Sequence, residues 1–270
     1  MSSLTVRCWG ARGTFPSPGI RFARYGGDTM CFEVLAGDRR LILDAGTGIK
    51  ALGDAMDGRE THILLSHGHI DHVVGLTQFA PFWQAGRPIV LWVPEGPPGA
   101  AAHLLLEPPL FPVALAEMPA SIRVVQYAPD APLPVAGGLR VCAFPVNHPG
   151  GAYGFRIDAA GCAVCYVTDH EHGSPLDDAL VANIQDADMV IYDSTYTEEE
   201  MDGHRGWGHS TWEAGVELAN RASVPLLWLA HHHPERDDAS LDALQSAANV
   251  SAFPRSRFVH TGAACTLSLV

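Results

Sequence analysis

The sequence predicts a mixed α/β fold, with a layout that suggests a four-layer αββα sandwich over residues 1–270 as a single domain. Three observations carry this. Short apolar runs rich in Val, Ile, Leu and aromatics are bounded by Gly, Pro and Asp, as strands are. A run of strands followed by a helix occurs in the first half and again in the second, which suggests two sheets face to face with helices outside. The chain of 270 residues is 47% hydrophobic, enough for one large core, with no repeat or long linker.

The first-half strands are read at 4–10, 31–37, 40–44, 62–67 and 88–93. Those of the second half fall at 122–127, 139–146, 152–158, 162–169, 188–194 and 225–231, with "FVHTG" and "CTLSLV" closing the chain. Apolar residues at three- and four-residue spacing predict helices over 46–56, 71–83, 174–185 and 210–222. In the last of these, Ser210 is the expected N-cap, with Glu213 as its capping-box partner. Proline-rich stretches around 94–98, 108–112 and 129–134 read as loops.

The formal charge is −13, and Lys50 is the one lysine. No run of Lys or Arg exceeds two, so no basic footprint for a nucleic-acid backbone is present. The opening "MSSLTVRCWG" has neither a basic n-region nor an apolar h-region, and no apolar stretch nears the roughly 20 residues that span a bilayer. The six cysteines are expected to be reduced core thiols, and Cys162-x-x-Cys165 lacks a second pair to complete a zinc site. The expected protein is cytoplasmic and takes a small-molecule substrate, with no folded nucleic acid and no membrane as partner. A homo-oligomer stays open.

The chemistry concentrates in "SHGHIDHVVG", residues 66–75. His67 ends an apolar strand run and His69 lies two positions on, so in extended backbone both imidazoles face one side and can share a cation. Asp71 and His72 open the following helix and can hold a second cation beside the first. Further His and Asp residues at strand ends complete the set: His148 after one strand, Asp169 at the end of another, His231 at the end of a third. Seven ligands result, enough for three histidines on one metal, an aspartate and two histidines on another, and one bridging carboxylate. Nitrogen and oxygen donors without thiolate suit two divalent ions, Zn²⁺ first, with Mn²⁺ or Fe²⁺ as alternatives.

This pattern resembles the metallo-β-lactamase superfamily, whose signature His-x-His-x-Asp-His stands here as His67 to His72, followed in order by His148, Asp169 and His231. The resemblance covers essentially the whole chain and implies the metallo-β-lactamase-like fold. It assigns His67, His69 and His148 to one metal and Asp71, His72 and His231 to the other, with Asp169 bridging. His232 and His233 compete with His231, which is favoured as the first residue past the apolar strand.

Within the superfamily, common β-lactamases carry cysteine where this chain has Asp169, and flavodiiron proteins carry glutamate where it has His69. The segment 206–234, with "GHSTWEAG" opening a helix, resembles the ribonuclease Z and phosphodiesterase branch. That resemblance makes His209 a catalytic proton donor to the leaving group, with Asp193 a candidate to orient it, and Asp71 the acceptor of the attacking water's proton. Ribonuclease Z inserts a long basic arm between the third histidine and the bridging aspartate, whereas only 21 positions separate His148 from Asp169 here. The expected substrate is therefore a small phosphodiester, such as a cyclic nucleotide or cyclic ribose phosphate. A thioesterase or lactonase of the same fold is the alternative, and a non-catalytic metal-binding protein a further one. Arg12 and Arg24, in the Gly- and Arg-rich segment 10–31, are candidates for phosphate contact.

Overall fold

In the computed structural model, which describes residues 3–96, 104–129, 131–135, 138–250 and 255–268, the strand-forming runs assemble into two seven-stranded sheets. The first contains β1 (Leu4–Gly10), β2 (Cys31–Ala36), β3 (Arg39–Leu43), β4 (Glu60–Leu64), β5 (Pro88–Pro94) and β6 (Ser121–Tyr127), with β14 (Ala264–Leu267) paired outside β1. The second runs β13 (Ser256–Phe258), β12 (Leu227–Ala230), β11 (Met189–Asp193), β10 (Cys162–Val167), β9 (Ala152–Ala159), β8 (Arg140–Val146) and β7 (Pro132–Leu133). Each sheet is antiparallel at one end and parallel at the other: β3 to β6 run parallel in the first, β10 to β13 in the second.

Strands buried on both faces explain why the sequence shows continuous apolar runs. In β5, Val90 and Trp92 face the core between the sheets, while Ile89, Leu91 and Val93 face the helices outside. In β12, Trp228 and Ala230 face the inter-sheet core, and Leu227 and Leu229 face outward. Buried apolar residues thus form three clusters, one between the sheets and one beneath each outer layer, which is the signature of four layers.

The outer layer of the first sheet comprises α1 (Ile49–Ala55), α2 (Ile70–Val73) and the turns after α2. The second sheet carries α3 (Asp177–Ile184), α5 (Trp212–Arg221) and α6 (Asp238–Val250), while the short α4 (Glu198–Met201) precedes α5.

The structure departs from the sequence reading in several elements, the short α4 among them. The helix expected over 71–83 is one α-turn followed by 3₁₀ turns at Val74–Gln78 and Ala80–Trp83. Gly75 packs so closely that a Cβ there would lie 2.0 Å from the Gly46 carbonyl, and Pro81 cannot donate to a continuing helix. The N-cap of α5 is Thr211, whose hydroxyl accepts from the Ala214 N–H at 3.1 Å, so Ser210 is not the cap. The loop read at 129–134 contains the short strand β7. Helix α6 was not foreseen, because alanine and serine dilute its apolar stripe. Residues 97 and 98 of one predicted loop, 130 of another, and 269 and 270 of the last predicted strand, lie outside the described residues.

All six cysteines are free. Among the described residues no helix is long and apolar enough to cross a membrane.

Candidate metal centre

The parallel strands open at their C-terminal ends onto one rim, where open α/β sheets place ligands. Asp44 follows β3, Asp169 follows β10 by two residues, Asp193 ends β11 and His231 follows β12. His148 comes two residues after β8. Strand β4 stops at Leu64, so His67 lies three residues beyond it rather than ending it. Asp44, Asp169 and His231 hold left-handed backbone, with φ of 58°, 53° and 57°. Such conformations persist in non-glycine residues only where the surroundings enforce them, and they gather at functional sites.

The rim gathers the seven sequence-derived residues. Donor atoms of His67, His69, His148 and Asp169 lie within 4.8 Å of one another, as do those of Asp71, His72 and His231. Asp169 sits between the groups. Its Oδ2 is 3.3 Å from both His67 Nε2 and His72 Nε2, and its Oδ1 is 3.1 Å from His231 Nε2. His69 Nδ1 and His148 Nε2 face each other at 3.0 Å. His232 turns away and donates from Nε2 to the Val259 carbonyl at 2.8 Å; burial, chiefly, and then Arg12 push its pKa down to about 3.

The surroundings fix the imidazole tautomers. His72 donates from Nδ1 to Asp44 at 2.8 Å and His148 from Nδ1 to the Gly208 carbonyl at 2.9 Å. Ser66 gives its proton to Asp44, which leaves its oxygen to accept from His67 Nδ1 at 3.0 Å. Thr195 likewise donates to Asp193 and accepts from His231 Nδ1 at 2.8 Å. Four histidines therefore present an Nε2 lone pair inward, and the buried Nε2 atoms of His67 and His72 make no hydrogen bond. Lone pairs converging on a carboxylate, each ring anchored at its far nitrogen, are what a divalent cation requires. The residues present fit the metal.

Without a cation the cluster is electrostatically tense. Burial lowers the pKa of His72, but Asp169, Asp71 and Asp44 outweigh it and hold it well above the usual value. Burial likewise opposes His231, which the carboxylates of Asp169 and Asp193 raise to about 9. His148 goes down to about 4 through burial, which Asp169 only partly offsets.

Asp44, Ser66, Tyr166 and Thr195 were missed by the sequence reading. Asp44 is fully buried and accepts from the Ser66 N–H, the Ser66 hydroxyl, His72 and the Tyr166 hydroxyl. A signal existed: Asp44 closes a strand-like run just as Asp169 does. Gly13 is required by close approach, since a Cβ there would lie 2.1 Å from His231 Nδ1. Beside it the Thr14 N–H donates to Asp71 Oδ2 at 2.7 Å.

A cavity of about 250 Å³ opens over the cluster, lined by Thr14, His69, Ile70, Asp71, Asp169 and His209. A larger groove of about 800 Å³ near Trp228 and Arg257 contains none of the clustered residues, so the chemistry belongs to the smaller one. His209 holds its Nδ1 3.0 Å from Asp193 Oδ2 and stacks on His231 at 4.7 Å between centroids. Arg12 does not reach the cavity; it is buried and donates to the carbonyls of Gly26, His233 and Arg236, stapling loops together. Arg24 pairs with Asp238 and Asp242 instead.

Residues 39–232 match the family model described as beta-lactamase superfamily domain. The chain belongs to the beta-lactamase superfamily. As a superfamily hydrolase it carries a His/Asp cluster suited to divalent metal ions. Ribonuclease Z of Kineococcus radiotolerans is 25% identical over 287 residues, spanning 88% of this chain and 85% of that protein. Among solved structures, the metallo-beta-lactamase fold protein YhfI from Bacillus subtilis superposes with a TM-score of 0.77 at 19% identity, covering 99% of this chain and 100% of that one. The short form of human tRNase Z gives 0.72 at 19% identity, covering 98% and 100%. These structures share the superfamily fold.

Proposed function

We propose that this superfamily member is a binuclear metal-dependent phosphodiesterase acting on a small phosphodiester. The observation that carries the reading is His209: its Nδ1 rests on the buried carboxylate of Asp193 and its ring lines the cavity above the cluster.

In this reading His67, His69 and His148 hold one cation, Asp71, His72 and His231 the other, and Asp169 joins them, with Zn²⁺ the favoured metal. The bound pair supplies Lewis-acid activation of water and of the phosphoryl oxygens. Asp71, which the Thr14 N–H orients, accepts the proton of the attacking water. His209, carrying a proton on each ring nitrogen with its Nδ1–H on Asp193, gives the Nε2 proton to the departing alkoxide. Asp193 holds the ring in that orientation and, through Thr195, also positions His231.

A small substrate is favoured over folded RNA by three features. His148 and Asp169 are joined by the β9–β10 hairpin, which leaves no room for a nucleic-acid-gripping arm. The chain carries −13 overall, and the cavity holds about 250 Å³. The ribonuclease Z likeness supports phosphoryl chemistry at the same kind of centre. Screening metal-reconstituted protein against phosphodiesters, thioesters and lactones tests the reading. Turnover of a small phosphodiester is expected; turnover of a thioester or lactone alone would overturn it.

A further inference from the structure

A large aromatic side chain stands in solvent on the loop that leads to the cavity-lining His209. Trp207 is 60% exposed and lies two residues before His209. Its loop is nevertheless tightly built. The Glu171 carboxylate accepts from the N–H groups on both sides of the indole, Gly206 at 2.8 Å and Gly208 at 2.9 Å. Glu171 is itself tied by its N–H to the Asn147 carbonyl at 2.8 Å, and by its own carbonyl to the Asn147 side chain. Gly206 and Gly208 have φ of 85° and 86°, and a Cβ on Gly208 would lie 2.1 Å from His148 Nδ1. The loop that displays Trp207 is thus the one whose Gly208 carbonyl anchors His148.

The indole also ends a chain of rings. Trp207 meets His204 edge-on at 5.1 Å, His204 stacks on Tyr196 at 4.2 Å, and Tyr196 lies 6.2 Å from His209. Two further large apolar groups are exposed here: Ile70, which lines the cavity, and Phe15, which follows the lining residue Thr14. A clamped backbone that presents an aromatic face on the loop leading to a polar, metal-ligating floor matches a ligand with an ionic end and a flat ring. Any heterocyclic base has such a face, and stacking on an aromatic side chain favours it roughly tenfold or more.

We propose that Trp207 is the stacking platform for a heterocyclic base, so that the substrate is a nucleotide ester rather than a bare sugar phosphate. The proposal rests on the phosphodiesterase reading for the bond cleaved, but its test uses binding alone. Adenosine monophosphate and ribose 5-phosphate are titrated into metal-reconstituted protein by calorimetry, with indole fluorescence recorded in parallel. The nucleotide is expected to bind about tenfold more tightly than the sugar phosphate and to quench the wild-type indole emission. Trp207→Ala should erase that preference at unchanged metal content. Trp207→Phe should keep most of it while losing the quench, which a merely structural tryptophan would not do. Equal affinity for the two ligands in wild type, a preference that survives in Trp207→Ala, or no binding of either at millimolar concentration would overturn the proposal. A nucleotide preference together with no phosphodiester turnover supports the platform and overturns only the phosphodiesterase reading.

Discussion

Asp44 and His72 form a hydrogen bond of 2.8 Å between two fully buried side chains, and neither belongs to an element that packs by hydrophobicity alone. The carboxylate accepts four donors at once and so sets the inward lone pair of His72 and, through Ser66, that of His67. Asp44→Asn keeps the shape but sets an amide N–H₂ among donors. Metal affinity should fall about 10- to 100-fold, the usual penalty for losing such a partner. Stability should drop by about 2 kcal/mol. Metal-buffer titration and denaturant unfolding read the two effects, and wild-type affinity in the variant would show that Asp44 does not orient the cluster.

Metal content is the most direct test of the ligand set. Purified protein should hold close to two transition-metal ions per chain, as the seven-residue ligand set gathered around Asp169 implies. His69 sits at the mouth, so His69→Ala should lose most of one ion with little loss of fold. Elemental analysis finding one ion or none in carefully prepared wild type counts against a binuclear centre.

His209 separates phosphodiester chemistry from its rivals. A general acid contributes about 10² to 10⁴ in rate, and it matters most when the leaving group is poor. His209→Ala should therefore lose far more activity on an alkyl phosphodiester or cyclic nucleotide than on bis(p-nitrophenyl) phosphate, with metal content unchanged. Equal losses on the two substrates would reduce His209 to a positioning role.

A pH effect on stability is expected far from the centre. His62 in β4 is buried and accepts the Trp92 indole N–H on Nδ1 at 3.0 Å, so it is held neutral. Burial, then Arg39 and Arg123, push its pKa down to about 4 from an unfolded value of about 6.5. Between those values the unfolded chain binds a proton that the folded one refuses. The stabilisation is thus complete above about pH 6.5 and lost as pH falls towards 4. His62→Gln keeps an acceptor without titrating, so the wild type should lose about 2 kcal/mol relative to the variant across that window. Parallel melting curves at stepped pH check this, and a constant gap would refute it.

Much of the molecule is legible in local spacing. The apolar runs locate thirteen of the fourteen described strands, and the central ones are apolar at nearly every position because both their faces are buried. The motif from His67 to His72, with His148, Asp169 and His231, is legible because a cation needs particular donor types and strand ends deliver them to one rim. The fold class and the superfamily follow from those two patterns.

The tertiary structure decided the rest, for reasons of distance along the chain. Tyr166 lies 122 residues from Asp44 and reaches it from the other sheet, and Thr195 lies 36 from His231 beside the neighbouring strand, so these partners exist only once the strands have assembled. Past the end of β12, His231 takes left-handed backbone and meets Asp71, while the equally buried His232 meets the Val259 carbonyl. Packing converts Arg12 from a candidate phosphate contact into a staple for backbone carbonyls, because the buried guanidinium donates to those of Gly26, His233 and Arg236. It also shortens the helix after Asp71, where the close approach of Gly75 to Gly46 overrides the helical spacing of the side chains. Sequence periodicity reports which face of an element is buried, and hydrogen-bond partners across the core report against what.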